Sequence, residues 1–435
     1  MLRFGTDGVR GNADTDLTSP LVVALGRAAA RVLGVSEFLV GRDTRESGAR
    51  IENDLTRGFA AEGARVTSLG VAPTPAVAFL AQRAAVPAAI VSASHNPWTD
   101  NGVKIVTADG RKLPDDVEEA IEAEMLSIVT LPSSSASSPR APVARADLDA
   151  YIGHLLGALD GRSLNGLHVV LDCANGAASE LGPRAFAAAG ALVEVINAEP
   201  DGRNINADCG STYPDGLQRA VREAGADLGL ALDGDADRVL AADERGELVD
   251  GDQIMVMTAL DWHARGVLRD DAIVVTVMSN LGLRRALGAA GVGIVETPVG
   301  DRHVVAAMAE RNLAIGGEQS GHIVFADLAT TGDGLLTGLL VADLVARRGV
   351  PLSALAASMT RLPQVLVNVR LAGPVDLERA SIRDAIGAVE DELGERGRVV
   401  VRASGTEPMV RVMVEAPTED EASAAAARIE AALEA

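Results

Sequence analysis

One pattern recurs three times along this chain and restricts its fold more than any other feature. FLVGRDTR (38–45) leads through a helical stretch to AAEGARVTSLG (60–70). VVLDCANG (169–176) leads in the same way to AAAGALVEVIN (187–197), and IVVTVMSN (273–280) to GAAGVGIVETP (288–298). Each copy reads as a buried strand, a loop, a helix ending near an Ala-Gly pair, and a second strand. Strands alternating with helices build βαβ units with parallel pairing, because the helix carries the chain back across the sheet. The copies are too long and too unevenly spaced for a solenoid. The pattern therefore predicts three similar α/β domains with mixed sheets.

The intervening segments place the boundaries. VTLPSSSASSPRAPVA (129–144) is rich in Pro and Ser, lacks apolar periodicity and reads as a connector. DLDAYIGHLLGAL (147–159) follows as an amphipathic helix with an Asp start signal. A second boundary is expected in the turn-rich ADERGELVDGD (242–252), and a third between Arg361 and Gln364. The remainder reads as strand, helix, hairpin and helix, a smaller C-terminal α+β domain. The expected domains are thus 1–145, 146–246, 247–360 and 361–435. Apolar residues make up 48% of the chain but aromatics only 2%, so Ala, Val and Leu must fill these cores.

The formal charge of −22, with no basic stripe, argues against a nucleic-acid partner. No apolar run is long enough to span a bilayer. The opening MLRFGTDGVRG has no apolar core of a secretion signal, and Cys173 and Cys209 form no metal or disulfide pattern. A cytoplasmic protein is expected, with no membrane partner. The chain has only two lysines, Lys104 and Lys112, among 39 basic residues. A lysine retained where arginine otherwise serves suggests chemistry that arginine cannot do, since arginine does not release its proton.

Several stretches carry chemistry. In LGLALDGDADRVLAADE (228–244), Asp233, Asp235 and Asp237 alternate with small residues between apolar strands. Three crowded carboxylates repel one another, and oxygen-only ligands suit Mg²⁺ or Ca²⁺. Glu244 falls where an EF-hand loop has its last ligand, but Arg238 stands where that loop needs Gly, and strands flank the segment. A polar hairpin turn without metal is the plain alternative. In RASGTEPMVRVMVE (402–415), Ser404, Gly405 and Thr406 form a tight turn bracketed by Arg402 and Arg411, suited to an anion nest. In AIGGEQSGHIVF (314–325), glycines bracket Glu318, Ser320 and His322. Those compact polar groups suit sugar hydroxyls, although the stretch also reads as an ordinary Gly-rich loop and His322 as a structural histidine. FGTDGVRG (4–11) and GRDTR (41–45) place Arg10, Arg42 and Arg45 near strand ends, where α/β ligand sites form.

VSASHNPWTDNGVKI (91–105) sets Ser94 and His95 after an apolar strand and Lys104 shortly beyond. A serine hydrolase would need an orienting acid and an oxyanion hole, and the GxSxG elbow is absent. A metal site and a phosphate nest elsewhere favour phosphoryl chemistry. Ser94 then reads as a phosphate carrier facing the three aspartates. Lys104 stands nearby as charge stabiliser or proton donor.

Taken in order, FGTDGVRG, SASHNP, DGDADR, GGEQSGH and RASGTEP resemble the alpha-D-phosphohexomutase superfamily over essentially the whole chain. The resemblance is strongest to its bacterial phosphoglucosamine mutase branch, through Gln319 in GEQSGH, FADLATTGDG (325–334) and TRLPQVLVNV (360–369). Ala236 departs from the DGDGDR common in bacterial relatives, and Trp98 from a common Phe. The resemblance implies four domains around a cleft: a phosphoserine domain, a metal domain, a sugar domain and a phosphate domain, in chain order. It implies interconversion of glucosamine 6-phosphate and glucosamine 1-phosphate on the route to UDP-N-acetylglucosamine and cell wall. It implies one Mg²⁺ per site, held by Ser94, Asp233, Asp235 and Asp237, and a sugar 1,6-bisphosphate as activator. The catalytic candidates are Ser94, Arg10, Lys104, His95 and His322. The substrate-binding candidates are Glu318, Ser320, Arg238, Arg402, Ser404, Gly405, Thr406 and Arg411. A small phosphosugar is the expected partner, and a homodimer is allowed. The competing readings are a phosphomannomutase or phosphoglucomutase of the same fold, a Mg²⁺-dependent phosphatase using Ser94, and a phosphosugar-binding regulator without turnover.

Overall fold

Each of the three repeats forms a parallel unit in the computed structural model, which describes residues 3–5, 8–130, 144–145, 148–371, 376–403 and 409–434. Glu37–Arg42 and Arg65–Val71 run parallel around helix Gly48–Ala61. His168–Asp172 and Leu192–Ile196 do so around Leu181–Ala188, and Ala272–Thr276 and Gly293–Thr297 around Leu281–Ala289. Antiparallel strands join each unit, so the sheets are mixed.

Those added strands carry the chemistry. In the first sheet, Ala88–Val91 lies beside Glu37–Arg42, and the chain returns antiparallel as Asp100–Val106, pairing Ile90 with Lys104. The loop between them holds Ser94. Gly8–Asn12 pairs next, setting Arg10 opposite Gly102. In the second sheet, Leu228–Leu232 and Val239–Asp243 form an antiparallel hairpin whose turn holds all three aspartates. In the third, Ile315–Gly317 and Ile323–Phe325 form a hairpin around Glu318, Ser320 and His322. The fourth sheet, Gln364–Arg370, Met409–Glu415 and Arg398–Ala403, is antiparallel and backed by helices Ala380–Leu393 and Glu419–Glu434.

Two local expectations need correction. Helix Asp115–Thr130 continues into the stretch read as a connector, and Ala144–Arg145 pairs with Arg65–Val71; residues 131–143 lie outside the described residues. The helix expected from residue 147 begins at Asp149 with no side-chain cap, so its Asp supplies first-turn charge rather than a cap. In the turn-rich 242–252 stretch, Leu248–Val249 pairs with Val239–Asp243, and Asp250 and Gln253 close a capping box on helix Gly251–Ala264.

The second and third units share one continuous core. Helix Gly334–Arg348 packs on both strands of the aspartate hairpin and on helices Asp149–Gly157 and Leu181–Ala188. The fourth sheet has a core of its own around Val412, Ile382 and Ile429. It is tied to the third unit through buried Glu415, which accepts from the Leu281 N–H at 2.9 Å, while Arg398 donates to the carbonyls of Val277 and Ser279.

Leu335 is fully buried in the shared core. Leu335→Ala should cost about 2–5 kcal/mol. Hydrogen exchange should rise across 149–362 as one block, leaving the strands of the fourth sheet protected. Exchange confined to the third unit would contradict a common core.

Candidate active site

The aspartate turn is where the first three units meet. Asp233, Asp235 and Asp237 are all buried, and each offers an oxygen within 4.8 Å of the others. The segment is curled rather than extended, with the Ala236 N–H donating to the Asp233 carbonyl at 3.0 Å, and the curl brings the three carboxylates together. The turn is tight enough to exclude other residues: a Cβ on Gly234 would lie 2.7 Å from the Ser94 carbonyl and 2.8 Å from Asn206 Nδ2. Ala236 holds a left-handed φ of 58°. That explains why glycine suits this position, since a side chain here carries a conformational cost.

Other elements answer these carboxylates one by one. Ser94 Oγ donates to Asp233 Oδ2 at 2.5 Å. Lys104 Nζ donates to Asp235 Oδ2 at 3.0 Å and to Asp237 Oδ2 at 3.3 Å. Thr74 Oγ1 donates to Asp235 Oδ2 at 2.6 Å, and its N–H to the Asp235 carbonyl at 2.9 Å. His322 Nδ1 lies 3.6 Å from Asp237 Oδ1, and its Nε2 accepts from the Gly332 N–H at 3.1 Å.

The charges split accordingly. Burial, and then the charges of Asp237 and Asp235, push the Asp233 carboxyl well above the usual carboxylate range. Burial alone would raise Asp237 too, but Lys104, His322 and Arg238 outweigh it and hold that carboxyl well below the range. Burial would lower the His322 pKa, but the Asp237 and Asp301 carboxylates raise it. His95 lies with Nδ1 3.3 Å from Ser94 Oγ. Burial, followed by the Arg238 and Arg10 charges, lowers its pKa to about 4, leaving it neutral near pH 7.

A divalent cation fits this donor set. Among the described residues, Asp235 Oδ1 and Asp237 Oδ1 are buried without a hydrogen-bond partner. Three carboxylates converge on one point, and an oxygen-only cluster suits a hard ion.

The sugar-loop candidates flank this centre. Glu318 Oε1 accepts from the Gly300 N–H at 3.0 Å, and Ser320 is exposed. Arg238 lies next to Asp237, with Nε 3.8 Å from Oδ1. Gln319 turns away from them, with Nε2 donating to Asp250 at 3.3 Å. On the fourth sheet, Arg402 and Arg411 are paired directly across neighbouring strands. Burial, and then the Arg411 charge, lowers the Arg402 pKa. Two facing cations repel each other unless an anion lies between them. Ser404, Gly405 and Thr406 lie outside the described residues.

Two arginines differ from expectation. Arg42 donates to Glu52 at 3.0 Å, and Arg45 is buried with its guanidinium turned into its own domain, so neither offers its charge to a ligand. The sequence reading missed Thr74 and Asn206. Thr74 sits in VAPTPA and Asn206 in RNINADCG, stretches with no local sign of chemistry. It also missed Asp301, which receives Lys112 at 2.7 Å and faces His322 Nε2 at 3.6 Å. The scarcity of lysine was the one available signal for that contact.

Four family models match the chain in order. They are described as Phosphoglucomutase/phosphomannomutase alpha/beta/alpha domain I (1–130), domain II (149–246), domain III (250–362) and C-terminal domain (366–432). The chain is 51% identical to a protein named phosphoglucosamine mutase from Rhodococcus opacus, covering 95% of each. It is 51% identical to one of the same name from Frankia alni, covering 99% of this chain and 98% of that one. Among solved structures, a phosphoglucomutase/phosphomannomutase family protein of Burkholderia thailandensis superposes with a TM-score of 0.80 at 24% identity, covering 98% and 96%. Aspergillus fumigatus N-acetylphosphoglucosamine mutase, in complex with GlcNAc-6P and magnesium, does so at 0.68 and 21%, covering 99% and 95%. At those identities the two structures speak for the fold alone.

Gly234→Ala should cost about 1–3 kcal/mol, because its methyl meets the Ser94 carbonyl as well as the Asn206 and Ile205 side chains. Urea unfolding would show it. An unchanged midpoint would mean that the turn has more room than these distances indicate.

Proposed function

The chain belongs to the phosphoglucomutase/phosphomannomutase family and is a phosphohexomutase, and from that premise we propose that it interconverts glucosamine 6-phosphate and glucosamine 1-phosphate. The observation that carries the mechanism is Ser94 Oγ, buried and 2.5 Å from Asp233, on a carboxylate turn that Lys104 also reaches. A hydrolytic serine would face a base and an oxyanion hole. Ser94 has His95 Nδ1 at 3.3 Å, but its hydroxyl donates to a carboxylate turn, which suits a phosphorylated serine beside a cation.

In the proposed cycle Ser94 begins phosphorylated, supplied by a sugar 1,6-bisphosphate. Its P–Oγ bond breaks as O1 of glucosamine 6-phosphate bonds to phosphorus and gives up its proton. The resulting bisphosphate turns over in the cleft. Its O6–P bond then breaks, Oγ takes that phosphoryl group, and a proton returns to O6. Asp233, Asp235 and Asp237, with a phosphoserine oxygen, would hold Mg²⁺, which when bound offsets the charge of the transferring group. Lys104 adds fixed positive charge beside the same turn and, with Arg10 and His322, is a candidate for moving the proton. Glu318 and Ser320 would hold sugar hydroxyls, together with Arg238. Arg402 and Arg411 would clamp whichever phosphate is not reacting. Binding alone would need neither a buried serine nor three aspartates, which weighs against a regulator without turnover.

Side-by-side rates on glucosamine, glucose and mannose 6-phosphates test the substrate, and faster turnover of either neutral sugar would reassign it. Intact mass should show a phosphate adduct that Ser94→Ala lacks together with most of its activity. Full activity in Ser94→Ala would end the phosphoserine mechanism.

Arg411→Ala should weaken substrate binding by about 2 kcal/mol, the scale of a charge-assisted pair. It should also raise the free phosphate released per turnover, because water competes better when the bisphosphate is held less firmly. An unchanged KM with an unchanged hydrolysis ratio would remove the clamp from the scheme.

A further inference from the structure

Ser94 sits in a left-handed backbone conformation, φ 51°, that residues with a side chain rarely adopt. Such a conformation persists only where the surroundings over-determine it. Here the determinant is Arg45, whose side chain is fully buried and whose five N–H donors are all engaged. Nε donates to Asp43 Oδ2 at 2.8 Å. One terminal nitrogen donates to the Pro97 carbonyl and, at 2.9 Å, to that of Asp100. The other donates to the carbonyls of Ser94 at 2.9 Å and Asn96 at 2.8 Å. One guanidinium therefore gathers four carbonyls of the serine loop.

The Ser94 peptide is held at its other end as well. Its N–H donates to Ser92 Oγ at 2.9 Å, and Ser92 Oγ donates to Asp43 Oδ2 at 2.7 Å. From the second unit, Asn206 Nδ2 donates to the Ser94 carbonyl at 2.9 Å and to that of Asn96 at 3.3 Å. The Asp43–Arg45 pair thus reaches both the N–H and the C=O of one residue. The cation also offsets the partial negative charge of four carbonyls in a loop that must carry a phosphoryl dianion.

We propose that Arg45, supported by Asp43, Ser92 and Asn206, is the positioning residue that aims Ser94 Oγ for phosphoryl transfer. The inference rests on Ser94 being the phosphoryl carrier. The same Oγ gives up a phosphoryl group in one half-reaction and receives one in the other, so both depend on a single aim. None of the bonds that Arg45 makes is to a sugar-loop residue. Its loss therefore slows transfer without weakening sugar binding.

Arg45→Lys keeps the charge but cannot reproduce a planar fork spread over four carbonyls. Asn206→Ala removes only the second-unit donor. The full chain is charged with glucose 1,6-bisphosphate, and Ser94 phosphorylation is followed by rapid quench and intact mass. Discharge to glucosamine 6-phosphate is followed in the same way, and steady-state kinetics are measured beside it. Folded Arg45→Lys should be slower by about a hundredfold in both half-reactions, with KM within about twofold of the parent, as misaimed reacting groups give. Asn206→Ala should show the same split at about tenfold. Parent-like transfer in folded Arg45→Lys, or a change in KM alone, overturns the proposal. If Arg45→Lys does not fold, Asn206→Ala decides by the same criterion. A parent enzyme that never takes phosphate on Ser94 overturns the carrier reading and this inference together. A phosphorylated parent with unaffected variants overturns the inference alone.

Discussion

Burying three carboxylates on one turn is the constraint around which the rest of the structure is arranged. Burial disfavours their charge and proximity disfavours it again. The hairpin itself offers only Arg238, whose N–H donates to Asp233 Oδ1 at 3.1 Å and whose side chain lies beside Asp237. The other partners come from elsewhere: Ser94, Thr74 and Lys104 from the first unit and His322 from the third. Asp235 takes two donors from far along the chain, and Asp237 is drawn down in pKa by groups on three units. The same shortage of counter-charge that draws these units together makes the turn a place for a divalent ion and a phosphoryl group.

Packing then separates what is rigid from what is levered. The second and third units share a core through helix Gly334–Arg348, so the aspartate turn and the sugar-loop hairpin are parts of one body. The fourth sheet has a separate core and is attached by a few polar contacts around Glu415, Arg398 and the start of helix Leu281–Ala289. A bisphosphate that must turn over needs firm walls on the transfer side and a clamp that can release it. A domain joined by hydrogen bonds rather than by shared apolar surface suits the second task, since local opening costs least where few apolar contacts are lost.

Much of this was legible in advance because it rests on local pattern. The three repeats fold as their apolar runs indicate, and DGDADR forms a carboxylate turn between strands. The phosphate turn beginning at Ser404 stays an expectation, but Arg402 and Arg411 do face each other across a strand pair. The errors came from reading exposure off residue type. Arg45 resembled a ligand cation and is instead the internal brace of the serine loop, donating to four carbonyls between Ser94 and Asp100. Thr74, in VAPTPA, has no local sign of chemistry.

The order of residues alone decides which segments become strands and helices, where the acidic turn, the serine loop and the glycine-bracketed loop lie, and that lysine is scarce enough to matter where it occurs. Those properties follow from periodicity and side-chain chemistry within a few residues. Only the folded chain decides which groups become partners, since Thr74 and Asp235 are 161 positions apart, as are Ser94 and Asp233 by 139. It also decides that Ser94 takes a left-handed backbone, that Arg45 faces inward, and that one buried carboxyl is pushed up while its neighbour is pulled down. Burial and counter-charge set those outcomes, and both are properties of distance in space that no local stretch of sequence contains.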